Sequence, residues 1–114
     1  MVDIDRRHQK RIPIKGTLRL LVKSGSGFLV GSGEIIDLSA SGCAMRVDNR
    51  AIEAGLSGRL EVAIEGVSLS LPIVTRWVRA ELDGWIVGAV FDNLTAENHR
   101  EVRALLRERS GFVI

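Results

Sequence analysis

Residues 58–91 have the sequence GRLEVAIEGVSLSLPIVTRWVRAELDGWIVGAVF, which holds three apolar runs separated by two turn-forming dipeptides. In the first two runs apolar and polar residues alternate, as expected for strands with one face in a core and the other in solvent. The dipeptides are Glu65-Gly66 and Asp83-Gly84, and both are typical of tight hairpins. This stretch therefore predicts three consecutive antiparallel strands.

Earlier segments extend the same pattern toward the N-terminus. Strands are predicted over 15–24, 28–39 and 43–48, with a turn at SGSG (24–27) and a bulge at the glycines of 31–33. Six short strands joined by glycine-rich turns predict a mainly β protein. The fold that this predicts is a small six-stranded antiparallel barrel or sandwich, and closing the sheet into a barrel removes the exposed edges that an open sheet would present.

The periodicity changes in TAENHREVRALLRERSG (95–111), where apolar residues recur at helical spacing. The segment predicts a C-terminal α-helix over about 95–109, capped by Thr95 and ended by Gly111. Its apolar stripe is expected to pack on the barrel, and its arginines are expected to form a solvated face. The stripe consists of Val102, Leu105 and Leu106.

Length and composition limit the classes of protein that remain. The 114 residues fit one domain, and a single cysteine excludes an internal disulfide or a multi-cysteine metal site. No signal peptide or run of 18 apolar residues is present, so a cytoplasmic protein without membrane insertion is expected. His8 and His99 are far apart, and no catalytic triad or paired carboxylates have convincing spacing. We expect neither a metal nor an enzyme activity.

Charge is distributed unevenly along the chain. Residues 1–23 carry seven basic and two acidic side chains (+5), whereas residues 24–94 carry five basic and nine acidic ones (−4). A local basic cluster before an acidic body favours a local anionic partner over a broad nucleic-acid surface. Aromatic residues are also few, which disfavours stacking on single strands.

A second motif gives the basic cluster a more specific meaning. DLSASG (37–42) follows the second predicted strand, and in a barrel that strand end can lie beside the start of the first strand. Taken alone, the motif is a turn, since Asp and Ser cap turns and Gly adopts positive φ. An arginine offers a fork of donors to phosphate or to guanine O6 and N7, and a carboxylate accepts from guanine N1–H and N2–H₂. Both together favour a guanine nucleotide over a simple anion.

These two motifs resemble the PilZ domain family, whose members are receptors for cyclic di-GMP. Its R-x-x-x-R pattern is matched by Arg7 and Arg11, and its [D/N]-x-S-x-x-G pattern by Asp37, Ser39 and Gly42. A late aromatic strand, a G-x-x-F strand and a C-terminal helix extend the resemblance over almost the whole chain. The resemblance implies the same fold, a PilZ-like split barrel with a C-terminal helix.

The resemblance also implies roles for individual residues. Arg7 and Arg11 would bind phosphates and the guanine O6/N7 edge, and Arg6 would add charge or stack on a base. Asp37 and Ser39 would hold the second guanine. Two further residues are implied, with Gly42 leaving room for the base, and Trp77 either stacking on a guanine or forming part of the barrel wall.

The resemblance leaves the number of ligands open, although an arginine in the place of Arg6 favours two cyclic di-GMP molecules per chain over one. It implies no other cofactor. We expect residues 1–12 to be a flexible switch segment that becomes ordered over the ligand, and 13–114 to form the barrel domain. The ordered segment would signal to a downstream protein that the sequence does not identify.

Two alternatives belong to other classes of protein. One is a small barrel that binds nucleic acid through its basic N-terminus, and the other is an interaction module that needs no ligand. The acidic body argues against the first, and the intact motifs argue against the second. Cys43 is expected to be a buried apolar residue, and the orientation of Arg46 stays open.

Overall fold

The computed structural model describes residues 10–110, which form six strands and one helix. The strands are β1 Ile12–Ser24, β2 Gly27–Leu38, β3 Gly42–Val47, β4 Ser57–Ile64, β5 Val67–Glu81 and β6 Gly84–Phe91, and the helix is α1 Ala96–Ser110. All neighbouring strands are antiparallel, and their order β1-β2-β3-β6-β5-β4 closes because β4 pairs with β1. The predicted six-stranded barrel with a C-terminal helix is confirmed.

The turns follow the sequence closely, with one shift. Ile64 pairs with Val67, so Glu65 and Gly66 form the hairpin as predicted, at φ of 46° and 84°. For the hairpin between β5 and β6, the predicted turn residues, Asp83 and Gly84, are one position too late in the sequence. Glu81 pairs with Gly84, so the turn residues are 82–83, and Gly84 already belongs to β6.

The prediction of a bulge at residues 31–33 is wrong. Gly31 and Gly33 pair with β1 without a break. Gly33 is needed for a different reason, since a Cβ there would run into the carbonyl oxygen of Arg46 on β3. The register shifts instead between Ile35 and Asp37 on β2, where no glycine marks it.

The core fills the barrel interior and both of its ends. Residues alternate between the interior and the outer face along the strands, except at the register shifts in β2 and β5, and inward residues such as Leu20 and Leu71 are fully buried. The helix stripe covers one end, with Val102 and Leu105 buried at 1% and 3% exposure. Ile52 from the β3–β4 loop fills the other end, where its carbonyl accepts a 3.0 Å hydrogen bond from Trp85 Nε1.

Helix α1 is fixed at both ends. The Thr95 hydroxyl accepts a 3.0 Å hydrogen bond from the Asn98 amide, which confirms the predicted cap. At the other end Arg109 contacts Glu65 of the β4–β5 hairpin at 2.6 Å, so this arginine is not part of a purely solvated face. The hydrogen bond from Arg109 lowers the pKa of the Glu65 carboxyl.

Within residues 10–110 no helix is long and apolar enough to cross a membrane. The same residues contain no group of three or more side chains that could hold a metal ion.

Candidate ligand-binding site

The β1–β2 register brings the N-terminal basic segment to the DLSASG motif. Pro13 pairs with Asp37, so Arg11 lies just beyond the paired residues, beside the end of β2. Arg11 Nη1 donates a 2.7 Å hydrogen bond to Asp37 Oδ1. The two side chains are 48% and 24% exposed, so the pair faces solvent. The structure therefore joins one arginine of the first motif to the carboxylate of the second.

Ser39 lies inside the β2–β3 turn. Its hydroxyl accepts hydrogen bonds from the amides of Ser41 and Gly42 at 3.3 and 3.2 Å, and donates to the Gly42 carbonyl at 3.2 Å. The residue is 2% exposed. These contacts match the turn interpretation of the motif. They differ from a direct ligand contact, because the hydroxyl is already used by the backbone.

The structure gives a packing explanation for the glycine at position 42, which the sequence analysis did not offer. A Cβ at this position would overlap the carbonyl oxygen of Ala89 on β6. The glycine therefore permits close approach of β3 and β6. The expected role of this glycine in leaving room for a base stays a prediction.

Two bulges turn Asp37 and Trp77 outward. Ile35 points into the core, and the extra residue Ile36 lets Asp37 face outward while Leu38 returns to the core. A matching register shift on β5 lies between Thr75 and Trp77. Thr75 is fully buried, whereas Trp77 is 38% exposed. The two irregularities thus place both side chains on the outer surface.

The register also places these residues in one row across four strands. Asp37 pairs with Ala44, Ala44 pairs with Gly88, and Gly88 pairs with Trp77. Directly paired residues share a face of the sheet, so all four lie on the outer face. Three strand spacings of about 4.8 Å give the row a length of about 14 Å. We call it the outer row: a carboxylate at one end, an aromatic ring at the other and small residues between them.

The Trp77 ring lies across Gly88, where a Cβ would overlap ring atoms. The Arg79 guanidinium is 5.4 Å from the ring centroid and also contacts Glu81 at 2.9 Å. Trp77 is outside the core cluster and 38% exposed, so it lies on the outer face of the barrel wall. This position is compatible with both predicted roles, a residue of the barrel wall and a ring that stacks on a guanine.

Arg46, whose orientation the sequence left open, lies on the outer face next to the outer row. It pairs with Ile86 of β6 and Glu34 of β2, and its Nη1 donates a 3.2 Å hydrogen bond to Glu34. Its stem passes over Gly84. Sequence reasoning missed the small residues Ala44 and Gly88 as parts of this surface, because the row that contains them depends on the bulges.

Cys43 lies directly beneath the site. It is fully buried, and burial, followed by the nearby Asp37 charge, raises the pKa of its thiol to about 12. This confirms the expected role as a small buried apolar residue. The remaining predicted site residues, Arg6 and Arg7, lie outside the described residues.

Comparison with known proteins gives a consistent picture. A family model for the PilZ domain matches residues 5–108. No curated protein matches the sequence.

Three solved structures have similar folds. The PilZ domain of CeSA from a cellulose-synthesizing bacterium has a TM-score of 0.64 at 20% identity, over 90% of this chain and 96% of that one. The PilZ domain of Escherichia coli YcgR with c-di-GMP has a TM-score of 0.74 at 14% identity, over 93% and 92%. The Bacillus subtilis inhibitor of motility (MotI/DgrA) has a TM-score of 0.69 at 15% identity, over 92% of this chain and 51% of that chain. At these identities the likeness shows the fold.

Proposed function

The chain belongs to the PilZ domain family, and we propose that it is a receptor for cyclic di-GMP. The observation that carries the proposal is the Arg11–Asp37 pair at one end of the outer row. The PilZ domain of YcgR, whose fold is similar, was solved with c-di-GMP. We assign the chain a binding role and no catalytic step.

The Arg11–Asp37 pair is suited to open when a ligand arrives. An exposed ion pair contributes only about 0–1 kcal/mol, so separating the two side chains costs little. Arg11 would then bind a phosphate oxygen or guanine O6 and N7. Asp37 would accept from guanine N1–H and N2–H₂. One nucleotide would thus replace one weak contact with two complementary ones.

The other residues of the outer row would contact the end of the ligand that lies away from Asp37. Ala44 carries only a methyl group, and the Trp77 ring lies over Gly88. A flat base could approach along the row and stack on the outer face of that ring once the Arg79 guanidinium, 5.4 Å from the ring centroid, moves aside. Ser39 and Gly42 contribute by fixing the turn and the close approach of β3 to β6. Their proposed role is therefore to hold Asp37 in place.

We extend the proposal to the residues before β1. Arg6 and Arg7 would add phosphate contacts, and Arg6 would favour two ligands per chain, because two cyclic dinucleotides carry four phosphate charges. Residues 1–11 would fold over the ligand and so change the surface shown to a downstream protein, whereas Ile12, the last residue of the predicted switch segment, is already part of β1. Hydrogen exchange of this segment with and without ligand tests that step, and unchanged exchange at saturation would refute it.

Calorimetric titration tests the proposed ligand. Cyclic di-GMP should bind with measurable heat at tens of micromolar, and the stoichiometry should give the number of ligands. Cyclic di-AMP is the matched control, because adenine lacks the N1–H and N2–H₂ donors that Asp37 would accept. Arg11→Ala should weaken binding, whereas Arg59→Ala, on the outer face of β4, should not. Absence of heat, or equal binding of both dinucleotides, would refute the proposal.

A further inference from the structure

The outer face of the β1–β2 hairpin carries three large apolar side chains that the core does not use. Leu21, Phe28 and Val30 are 41%, 61% and 47% exposed. Leu21 pairs directly with Val30, and Phe28 lies two residues before Val30 on the same face. The three side chains form one surface, which we call the hairpin patch.

The fold does not require these residues to be apolar. On either side of Leu21, Leu20 and Val22 are fully buried and supply the core contacts of this part of β1. On β2, Leu29 supplies the core contacts next to Phe28 and Val30, because it packs against the core cluster. Single exposed apolar residues are common, but contiguous ones border interaction sites more often.

The border of the hairpin patch is basic. Lys23 pairs with Phe28, Arg59 of β4 pairs with Leu21, and Arg19 lies two residues before Leu21 on the same face. All three are exposed. Within the described residues, two acidic side chains lie at this border: Glu61, opposite Arg19, and Asp48, whose Oδ1 accepts a 2.8 Å hydrogen bond from the Ser32 amide on the β2 side. The border therefore has three positive and two negative charges, and the Asp48 carboxylate is already used by the backbone of β2.

The shape and tip of the hairpin favour a protein over a lipid surface. A shallow cavity of about 100 Å³ lies between Arg19, Leu21, Arg59 and Glu61, so the surface is contoured. The tip residues are Gly25 and Ser26, which offer no apolar side chain for insertion into a bilayer. A partner that matches this surface carries apolar side chains bordered by carboxylates.

We propose that the hairpin patch docks a partner protein through a surface on which apolar side chains are bordered by carboxylates. The patch lies far from the candidate ligand site on the same strand. Eight residues separate Leu21 from Pro13, which pairs with Asp37, and at about 3.3 Å per residue this is about 26 Å. The proposed docking surface is therefore separate from the candidate ligand site, and the proposal holds whichever nucleotide binds there.

An NMR titration of the full chain tests the proposal. The probe is a short synthetic peptide in which leucine alternates with glutamate. Amide shifts should saturate and centre on Leu21, Phe28 and Val30. The matched control peptide alternates leucine with lysine and should bind at least about tenfold more weakly, because only the charge differs. Phe28→Ser should also weaken binding about tenfold. Val67→Ser, a change at a valine of the β4–β5 hairpin that is 41% exposed, as Leu21 is, should leave it unchanged.

Five results would overturn the proposal. Absence of saturable shifts at millimolar peptide, or shifts centred elsewhere, would show that the hairpin patch is not a docking surface. Equal binding of the lysine peptide would refute the proposed charge of the partner. Concentration-dependent dimers abolished by Phe28→Ser would make the occupant a second copy of the chain. Binding to phosphatidylserine vesicles that needs Phe28, without peptide binding, would make it a membrane.

Discussion

The outer row and the row directly beneath it are built from neighbouring residues of the same four strands, yet their environments differ. The inner row Leu38–Cys43–Ala89–Thr75 has no residue more than 4% exposed. The outer row Asp37–Ala44–Gly88–Trp77 has at one end a partly exposed carboxylate, which is ion-paired with Arg11, and at the other end an exposed ring. Moving one residue along β2, β3 or β6, or two residues along β5, thus exchanges a structural position for a candidate binding position. The comparison predicts that substitutions in the inner row lower the stability of the fold and that substitutions in the outer row lower the affinity for cyclic di-GMP.

The largest expected contrast is the reactivity of Cys43 in the inner row. Its pKa of about 12 leaves the thiol protonated at pH 9, where an unfolded cysteine is about half ionised. Native labelling with iodoacetamide at pH 9 should therefore be slower by about a thousandfold or more than in the unfolded chain.

The same shift makes stability depend on pH. The native thiol keeps its proton after the unfolded thiol has lost it, so this group's contribution to stability is lost as pH rises from about 9 to about 12. Denaturant melts in that range should show a steeper decline for the wild type than for Cys43→Ala. Equal slopes, or rapid native labelling, would contradict the inner placement.

The second-largest expected contrast is in the free energy of unfolding, between substitutions at two adjacent residues of β2. Leu38→Ala should lower the free energy of unfolding by about 2–5 kcal/mol, because it leaves a cavity in the core. Asp37→Ala should change it by no more than about 1 kcal/mol, since it removes an exposed ion pair. Denaturant melts measure both. Similar losses for the two variants would remove the distinction between the rows.

Gly42→Ala separates the two explanations of that glycine. The new methyl group would overlap the Ala89 carbonyl, so stability should fall by about 1–3 kcal/mol. Gly27→Ala is the control, because no atom lies within 4 Å of its Cβ position, and it should be nearly neutral. If Gly42→Ala kept full stability and lost only affinity, the glycine would instead provide room for the ligand.

Trp77 should show the smallest effect on stability. Trp77→Phe keeps a ring over Gly88 and should change the free energy of unfolding by less than about 1 kcal/mol. Affinity for cyclic di-GMP should fall about three- to tenfold, because stacking on the smaller ring is weaker. A calorimetric titration beside Arg76→Ala, a change at the exposed residue before Trp77, provides the comparison. Unchanged affinity would remove Trp77 from the site.

Much of the fold could be predicted because a strand repeats its pattern every two residues. The alternation from Leu60 to Ile64 fixed β4, and Glu65-Gly66 fixed its hairpin. Glycines were harder to interpret, since a bulge and a close backbone approach both require them. This ambiguity explains the wrong bulge near Gly33.

The candidate site was only partly accessible to sequence reasoning. The proximity of Arg11 to Asp37 follows from a hairpin between β1 and β2, and the motifs indicated it. The outer row could not be predicted from the sequence, because it depends on the extra residues Ile36 and Arg76, and no turn-forming residue marks either position. Without those shifts, simple alternation places Asp37 and Trp77 on the wrong face.

The central claim is that Asp37 recognises guanine from the outer row while contributing little to the fold. The most direct measurement is a calorimetric titration of cyclic di-GMP into the wild type, Asp37→Ala and Glu61→Ala, with a denaturant melt of each. We predict equal Kd for the wild type and Glu61→Ala, and at least about a hundredfold weaker binding for Asp37→Ala at nearly unchanged stability. A Kd for Asp37→Ala within about threefold of the wild type would contradict the claim.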